Sequence, residues 1–192
     1  CDQEIADYIK SINGKYIMTS DKHKHASDRT AEAMLKVEKL LGKKLDIVVM
    51  VQGDEPMVTK QMIEKSIMPF NDVNIVNLMT KINNINEFED PNEPKVVMDI
   101  NSDAIYFSRE PIPSRKKGVK KVPMFKQVCV IPFRRDYLIK YNNLLETELE
   151  RIESIDMNRI IENGDKIRMV EIAGPVKSVD TTADLTLVSQ LM

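Results

Sequence analysis

The stretch Asp46-Ile47-Val48-Val49-Met50-Val51-Gln52-Gly53-Asp54-Glu55-Pro56 decides the fold that this sequence predicts. Its five consecutive apolar residues, four of them β-branched, are typical of a strand buried on both faces of a sheet. In an open parallel sheet, ligands bind just beyond the carboxyl ends of the strands. Asp54 and Glu55 are therefore candidate binding residues, although Gly-Asp and Glu-Pro are also ordinary turn sequences.

The pattern around this strand predicts a parallel sheet flanked by helices, because helices and strands alternate from residue 2 to residue 78. Helical patterns cover residues 2–10, 27–41 and 59–68. Asp2 is the expected cap of the first helix, and Ser27 or Asp28 that of the second. Residues 16–18 and 73–78 have the composition of strands.

The second half of the chain predicts a different arrangement. Residues 95–98 and 104–107 read as two strands of a hairpin, since turn-forming residues separate them. A further strand is expected over 125–133, a long helix from a capping box at Thr147 to near Gly164, and a final helix over 182–191. No internal repeat or long linker interrupts the pattern, so we expect a single domain spanning residues 1–192.

The composition excludes several classes of protein. The chain has 192 residues, 42% of them hydrophobic and 30% charged, which is ordinary for a globular protein with one core. A net charge of -2 gives no electrostatic case for binding nucleic acid, and the basic stretch 115–121 has no interleaved aromatic residues. No apolar run reaches the roughly 18 residues that span a membrane. With only Cys1 and Cys129, a disulfide framework is excluded, and a reducing, cytoplasmic setting is expected.

Several blocks of the sequence resemble the CMP-KDO synthetases, bacterial cytidylyltransferases that activate 3-deoxy-manno-octulosonate (KDO) with CTP. Around the Gln52–Pro56 motif these blocks are, in family order, Met18-Thr19-Ser20 through His23 to Asp28-Arg29, Asp90-Pro91-Asn92 to Lys95-Val96-Val97, Tyr106-Phe107-Ser108-Arg109-Glu110-Pro111-Ile112-Pro113, Glu150-Arg151-Ile152-Glu153-Ser154, and Val179-Asp180-Thr181 with Asp184-Leu185. The resemblance covers nearly the whole chain. It implies an α/β fold with a mixed sheet between two helical layers, similar to nucleotide-diphospho-sugar transferases, with an inserted hairpin region.

The resemblance also implies roles for individual residues. It makes Asp54 and Asp180 the catalytic pair that holds Mg²⁺, although the residues alone favour Asp180 as a helix cap. Mg²⁺ would neutralise charge while a sugar hydroxyl attacks the α-phosphate of CTP and pyrophosphate leaves. The implied nucleotide-binding residues are Arg29, Ser27, Gln52 and Asp54, and the implied sugar-binding residues are Arg109, Gln127 and Asp156.

Two of the candidate side chains have simpler interpretations. Arg109 presents a planar fork suited to the carboxylate of an acidic 2-keto sugar, but it could also pair at the surface with Glu110. Lys95 could face the substrate, although a solvated strand lysine is the expected state. His23 and His25 are too few to indicate a zinc site.

The beginning of the chain carries an expectation of its own. Members of the family begin with a strand and a loop of the form P-A-R-x-x-S-x-R-x-x-x-K, which cradles the triphosphate, whereas this sequence begins with Cys1 directly before a helical pattern. We therefore expect the natural protein to be longer. Without that strand, backbone groups beside the Val48 strand would be left unpaired.

Three hypotheses of function follow. In the first, the chain makes a CMP-activated KDO for a surface polysaccharide from CTP, as a homodimer that contacts its partner through the mixed strands and the helix at Thr147. In the second, the acceptor is another sugar acid of the nonulosonate type, because Gln127, Ile131 and Met157 replace polar residues of KDO-activating relatives. In the third, the chain is an inactive fragment. Release of pyrophosphate distinguishes the third from the others.

Overall fold

The structure is a computed structural model that describes residues 1–119, 121–174 and 176–192. The strands of this part of the chain are β1 (Ile47–Val51), β2 (Val76–Lys81), β3 (Lys95–Met98), β4 (Ala104–Ser108), β5 (Phe125–Val128), β6 (Val130–Arg134) and β7 (Arg168–Ile172). Its helices are α1 (Gln3–Ser11), α2 (Ala26–Leu41), α3 (Lys60–Ile67), α4 (Ile85–Glu89), α5 (Arg135–Asn142), α6 (Glu148–Glu153), α7 (Asn158–Glu162) and α8 (Thr182–Leu191). None of these helices is long and apolar enough to cross a membrane.

The strands form a mixed sheet with β2 near its centre. Five strands are ordered β4-β3-β5-β2-β7, and β1 pairs with β6 beside them. A bridge between Ile75 and Phe133 joins the two parts, together with a 2.8 Å hydrogen bond from the Arg134 amide to the Asn74 carbonyl. Within the described ranges, only the β2–β7 ladder is parallel. The expected mixed sheet is confirmed, whereas the alternation of the first half had suggested parallel pairing.

Different helices cover the two faces of the sheet. The larger core lies on one face, where Met34 of α2 and Leu138 of α5 pack with Ile131 and Phe133 of β6. On the other face, Met62 of α3 packs with side chains of β2, β5, β6 and β7. Alternate residues of each strand supply the two cores, as the period of a pleated strand requires. The expected α/β fold with two helical layers is therefore confirmed.

Local sequence signals fix several element ends correctly. Asp2 caps α1 by accepting a 3.0 Å hydrogen bond from the Ile5 amide. The helix α2 ends at Gly42, whose φ of +66° is a left-handed conformation that glycine adopts without strain. The 95–98 and 104–107 hairpin is confirmed as the antiparallel pair β3–β4.

Other expected elements differ from the structure. The single strand expected over 125–133 is divided at Cys129, whose backbone bonds to the loop after β1 instead of continuing a ladder. Residues 16–18 form no strand, and the helix expected from Thr147 ends early because Ser154 adopts a left-handed φ of 54°. Neither Ser27 nor Asp28 caps α2, which begins at Ala26 after His25.

The strand β1 is paired along one edge only. All its residues pair with β6, and no strand among the described residues pairs with the opposite edge. That edge faces a groove of about 580 Å³ lined by residues 16–19 and 48–51, and Val51 is 41% exposed. β1 is therefore less buried than its apolar sequence suggests. The expectation that a further strand precedes Cys1 stays a prediction.

Phe133 provides a test of the larger core. Its side chain is fully buried, and its ring stacks on that of Tyr141 with the centroids 5.9 Å apart. We expect Phe133→Ala to lower the free energy of unfolding by about 3–5 kcal/mol, because the cavity that it leaves cannot be refilled without distorting the sheet. Urea unfolding followed by circular dichroism measures this loss. The control Leu145→Ala, at a side chain that is 87% exposed, should change stability little. Equal effects of the two substitutions would contradict this view of the core.

Candidate active site

The loop that follows β1 is anchored to the break between β5 and β6. The Gln52 amide donates a 3.1 Å hydrogen bond to the Cys129 carbonyl, and the Cys129 amide donates a 2.7 Å bond to Oε1 of Glu55. The Glu55 side chain is only 7% exposed. Glu55 therefore shapes the turn, and the turn holds Asp54 at the carboxyl end of β1.

The structure brings Asp54 and Asp180 together. The Val179 amide donates a 2.9 Å hydrogen bond to the Asp54 carbonyl, which places the segment before α8 against the loop after β1. Burial raises the pKa of the Asp54 carboxyl and the negative charge of Asp180 adds to the increase, while a backbone hydrogen bond opposes it. Asp180 itself is exposed, and its carboxylate accepts a 3.0 Å bond from the Ser178 hydroxyl. Thr181, and not Asp180, caps α8.

These two aspartates suit a magnesium ion that completes its shell with water and substrate better than a metal ion whose ligands all come from the protein. No group of three or more His, Cys, Asp or Glu side chains within the described ranges could hold a metal. Mg²⁺ usually binds one or two carboxylates and completes its shell with water and substrate phosphates. Oδ1 of Asp54 is buried with no hydrogen-bond partner among the described residues, so an oxygen is available there that a cation would satisfy. Asp54 and Asp180 therefore fit the ion.

The negative charges of four carboxylates act on the thiol of Cys129. Burial raises the pKa of this thiol well above its ordinary value, and the charges of Glu55, Asp54, Asp156 and Asp180 raise it further, in that order. Asp156 and Asp180 lie 102 and 126 positions after Asp54 along the chain, yet all four acidic side chains act on one sulfur. The carboxyl end of β1 is thus a strongly acidic region.

Gln52 and Asp156 lie on one cavity of about 340 Å³, which Lys24 and His25 also line. Burial raises the pKa of the Asp156 carboxyl, and the nearby His25 opposes this increase. The sequence assigned Gln52 to the nucleotide and Asp156 to the sugar. Their shared cavity lies next to the acidic region, since Asp156 belongs to both.

The other two nucleotide-binding candidates lie elsewhere. Nη1 of Arg29 donates to the Thr19 hydroxyl at 2.9 Å and to the Ser20 carbonyl at 3.1 Å, and Arg29 lines the groove beside β1. Ser27 is 1% exposed, and its carbonyl accepts a 3.2 Å bond from the Asn142 amide group. Their assignment to the nucleotide stays a prediction.

Arg109 forms contacts that the sequence did not suggest. Its guanidinium donates to the carbonyls of Glu153 (2.7 Å), Pro91 (2.8 Å) and Ser154 (3.2 Å), and no ion pair with Glu110 is present in the described part of the chain. Three of its five N–H groups are thus used inside the protein. Because Ser154 lines the cavity of Gln52 and Asp156, Arg109 braces one wall of that cavity.

Gln127, the remaining sugar-binding candidate, lies on β5 two residues before Cys129. Its side-chain amide donates a 2.7 Å hydrogen bond to Oδ1 of Asn77, which is fully buried. The Gln127 side chain is partly exposed, so its carbonyl oxygen and its second N–H are left for a ligand. Its role stays a prediction.

Sequence reasoning missed the function of Glu153. This carboxylate accepts hydrogen bonds from the Tyr106 hydroxyl (2.6 Å), the Ser108 hydroxyl (2.8 Å) and the Arg109 amide (2.8 Å). The signal was the alternation of Tyr106 and Ser108, which places their hydroxyls on the same face of β4. Glu153 thereby ties the hairpin to α6, behind the cavity that contains Asp156.

Among the lysine and histidine side chains outside the site, Lys95 differs from expectation. Lys95 is fully buried, not solvated, and its ammonium donates a 2.8 Å bond to the Asp90 carbonyl. Burial lowers the pKa of Lys95. His23 pairs with Glu32 and so organises the loop before α2. Residues 115–119 of the basic stretch are exposed, as expected, whereas Lys120 lies outside the described residues.

Comparisons with known proteins agree with this geometry. A family model described as cytidylyltransferase matches residues 1–167. A 3-deoxy-manno-octulosonate cytidylyltransferase of Fusobacterium nucleatum is 37% identical over 188 residues, which cover 96% of this chain and 74% of the relative. The enzyme of the same name from Solibacter usitatus is 36% identical over 99% of this chain and 74% of its own length.

Solved structures are similar over the whole chain. A CMP:2-keto-3-deoxy-manno-octonic acid synthetase complexed with CTP has a TM-score of 0.88 and 34% identity, and the match covers 100% of this chain and 77% of that structure. A 4-diphosphocytidyl-2C-methyl-D-erythritol synthase from Anaerococcus prevotii has a TM-score of 0.58 at 14% identity, with 98% and 75% of the two chains covered. The second likeness shows the fold alone.

Glu55 predicts a pH dependence of stability. Burial raises its pKa from 4.5 to about 6, with the Cys129 amide opposing and Asp54 adding to the change. Because the folded state binds this proton more tightly, Glu55 contributes stability that is present below pH 4.5 and lost as the pH rises through 6. The loss is about 2 kcal/mol at most.

Urea unfolding of the parent and of Glu55→Gln at pH 4.5 and pH 7 measures this contribution. We expect the parent to lose stability relative to Glu55→Gln between the two pH values, whereas Glu4→Gln, at an exposed carboxylate, should follow the parent. A constant difference between parent and Glu55→Gln would show that Glu55 titrates alike in the folded and unfolded chain.

Proposed function

We propose, from the premise that the chain belongs to the cytidylyltransferase family, that it transfers CMP from CTP to the anomeric hydroxyl of KDO and releases pyrophosphate. The observation that carries this proposal is the pairing of Asp54 with Asp180 at the carboxyl end of β1. Oδ1 of Asp54 is buried with no hydrogen-bond partner among the described residues, and burial, together with the charge of Asp180, raises the pKa of this carboxyl; both features are what a cation-binding pair requires before its ion arrives.

The chemistry needs position and charge more than a nucleophilic side chain. Asp54 and Asp180 would hold Mg²⁺, which neutralises phosphate charge when it is bound. The anchored turn at Glu55 would keep the first carboxylate in place while the sugar hydroxyl attacks the α-phosphate. Cys129 is not suited to attack, because burial and the neighbouring negative charges raise its pKa and so keep it as a thiol.

The cavity of Gln52 and Asp156 supports an acidic, polyhydroxylated ligand beside this pair. Lys24 and Arg151 supply positive charges on the cavity wall and His25 supplies a ring nitrogen, while Glu146 and Glu150 add negative charge. The basic groups suit a carboxylate or a phosphate, while Gln52 and Asp156 suit hydroxyl or amino groups. We infer that substrates enter this cavity and reach the two aspartates from it.

Three residues differ from those of KDO-activating relatives, but not all of them bear on the identity of the acceptor sugar. Ile131 is 1% exposed and Met157 is fully buried, and both belong to the larger core. They therefore have no direct bearing on the sugar. Gln127 alone among the three is partly exposed, which favours KDO over the nonulosonate alternative, in line with the relatives named for KDO.

Substitution of the aspartates tests the function. We expect the parent chain to release pyrophosphate from CTP with Mg²⁺ and KDO. We expect Asp54→Asn or Asp180→Asn to lower kcat about 100-fold or more, since each removes a carboxylate that would hold the Mg²⁺ needed to neutralise the phosphate charge. Asp72→Asn, at an exposed aspartate in the loop before β2, is the matched control and should retain activity. A folded parent that turns over a nonulosonate but not KDO would support the second hypothesis. A folded parent without turnover on either sugar would overturn the proposal for this chain.

The same proposal includes a homodimer that serves lipopolysaccharide synthesis in the cytoplasm. Exposed apolar side chains on β4 and α6 support the contact region expected from the sequence: Ile105 is 54% exposed and Ile152 is 65% exposed. Such side chains are frequent where copies of a chain meet. The cytoplasmic setting and the pathway stay predictions.

Light scattering tests the proposed dimer. We expect Ile152→Glu to convert the dimer to a monomer, because a buried, unpaired carboxylate at the contact would oppose association. Leu145→Glu, at a side chain that is 87% exposed and outside both elements, should leave the mass unchanged. A parent that is monomeric at all concentrations tested would contradict the expectation.

A further inference from the structure

We propose that Glu93 and Lys177 are positioning residues that hold the segment carrying Asp180 against the loop carrying Asp54. The proposal rests on the proposed function in one respect, namely that Asp54 and Asp180 bind the metal together. It adds two residues that do not touch the metal but set the position of one of its ligands.

Asp180 needs such support because its carboxylate is weakly held, although its amide donates a 3.3 Å hydrogen bond to Oδ2 of Asp184. It lies in irregular backbone between β7 and α8, and its carboxylate is exposed. The single side-chain contact of that carboxylate in the described part of the chain is the 3.0 Å bond from Ser178, two residues away in the same segment. The position of the Asp180 carboxylate therefore depends on what holds residues 176–179 and on Asp184 at the start of α8.

Glu93 holds this segment from the rest of the fold. Its side chain is 3% exposed, and its two oxygens have different partners. Oε1 accepts the Lys177 ammonium at 2.6 Å, and Oε2 accepts the Lys126 ammonium at 3.0 Å. Lys126, which lies on β5, also donates a 3.0 Å bond to the Val176 carbonyl. One buried carboxylate thus fastens the segment to the sheet through two lysines.

Lys177 extends the connection to α8. Its ammonium contacts Oδ1 of Asp184 at 3.2 Å, in the first turn of that helix. Burial alone would lower the pKa of Lys177, but the hydrogen bonds to Glu93 and Asp184 raise it, so the side chain stays charged. Lys177 lies three residues before Asp180, and its two acidic partners hold the chain on both sides of the metal ligand.

Packing holds this segment on one side only, where Val176 is 7% exposed and belongs to the core that includes Met62. Glu93, Lys126, Val176 and Lys177 line a cavity of about 920 Å³, so space and not protein lies on one side of the segment. A neutral side chain at position 177 would leave the buried Glu93 carboxylate paired with one of its two lysines. The uncompensated negative charge would favour rearrangement of the segment. The opposite side of the segment is bonded to the Asp54 carbonyl through Val179, so a shift would separate the two aspartates.

Binding of Mn²⁺ tests this role without reference to turnover. It is measured in the presence of CTP by the loss of the electron paramagnetic resonance signal of free Mn²⁺. We expect Lys177→Met and Glu93→Gln to weaken Mn²⁺ binding about 10-fold, the lower range for residues that orient a metal ligand. Lys177→Arg keeps the charge and should restore binding close to that of the parent. The double variant should bind no more weakly than the weaker single variant, because both substitutions break the same link.

Lys81→Met is the matched control. Lys81 lines the same cavity, but its 2.9 Å pair with Glu171 is exposed and lies away from the Asp180 segment. Its Mn²⁺ affinity should equal that of the parent. Thermal unfolding of all variants, measured alongside, separates loss of fold from loss of position.

Two results would overturn the proposal, and they differ in what else they reject. If Asp54→Asn loses Mn²⁺ affinity while Lys177→Met melts earlier but binds Mn²⁺ like the parent, Glu93 and Lys177 stabilise the fold without positioning Asp180. If Asp54→Asn and the parent bind Mn²⁺ equally, the proposed metal site itself is wrong. A loss in Lys177→Met with recovery in Lys177→Arg supports the positioning role.

Discussion

The two hydrogen bonds between the backbone of Cys129 and the loop after β1 are the constraint on which the site depends. Because they interrupt the strand at one residue, β5 can pair with β2 while β6 pairs with β1. The same two bonds hold the turn that presents Asp54. A continuous strand from 125 to 133 would satisfy its own ladder and leave Glu55 buried without a donor, at the cost that any buried unpaired carboxylate carries.

The charge distribution gives this arrangement its chemical character. Several basic residues near the site are already engaged within the protein: Arg159 with Glu150, Arg109 with three carbonyls, and Lys126 with Glu87 and Glu93. Meanwhile Asp54, Glu55 and Asp156 all have raised pKa values, for which burial is the first cause in each case. The carboxyl end of β1 is thus more stable with added positive charge than without it.

The sequence predicted those features whose signals are local. The strand β1, the turn residues of the β3–β4 hairpin and the end of the helical pattern at residue 41 each depend on neighbouring residues, and each was confirmed, although β1 is less buried than predicted. The resemblance to the cytidylyltransferases paired Asp54 with Asp180, and the structure brings the two segments together. The resemblance also implied the mixed sheet of this fold class, whereas the alternation of helices and strands alone predicted a parallel sheet.

What the sequence could not supply are contacts between distant residues. The break at Cys129 depends on Glu55, 74 positions earlier, and nothing in the pattern of residues 125–133 announces it. Lys95 looked like a solvated lysine because its partner is a backbone carbonyl, which no residue type reveals. The pair of Glu93 and Lys177 spans 84 positions and joins two stretches that local patterns describe only as loops.

The acidic surroundings of Cys129 also govern how the protein reacts with thiol reagents. Alkylation and oxidation proceed through the thiolate, and both burial and the four neighbouring carboxylates disfavour that form. Cys1, by contrast, is exposed. A maleimide dye or a spin label should therefore attach faster at Cys1 than at Cys129, which is of intermediate exposure, so a short reaction labels Cys1 selectively without any substitution.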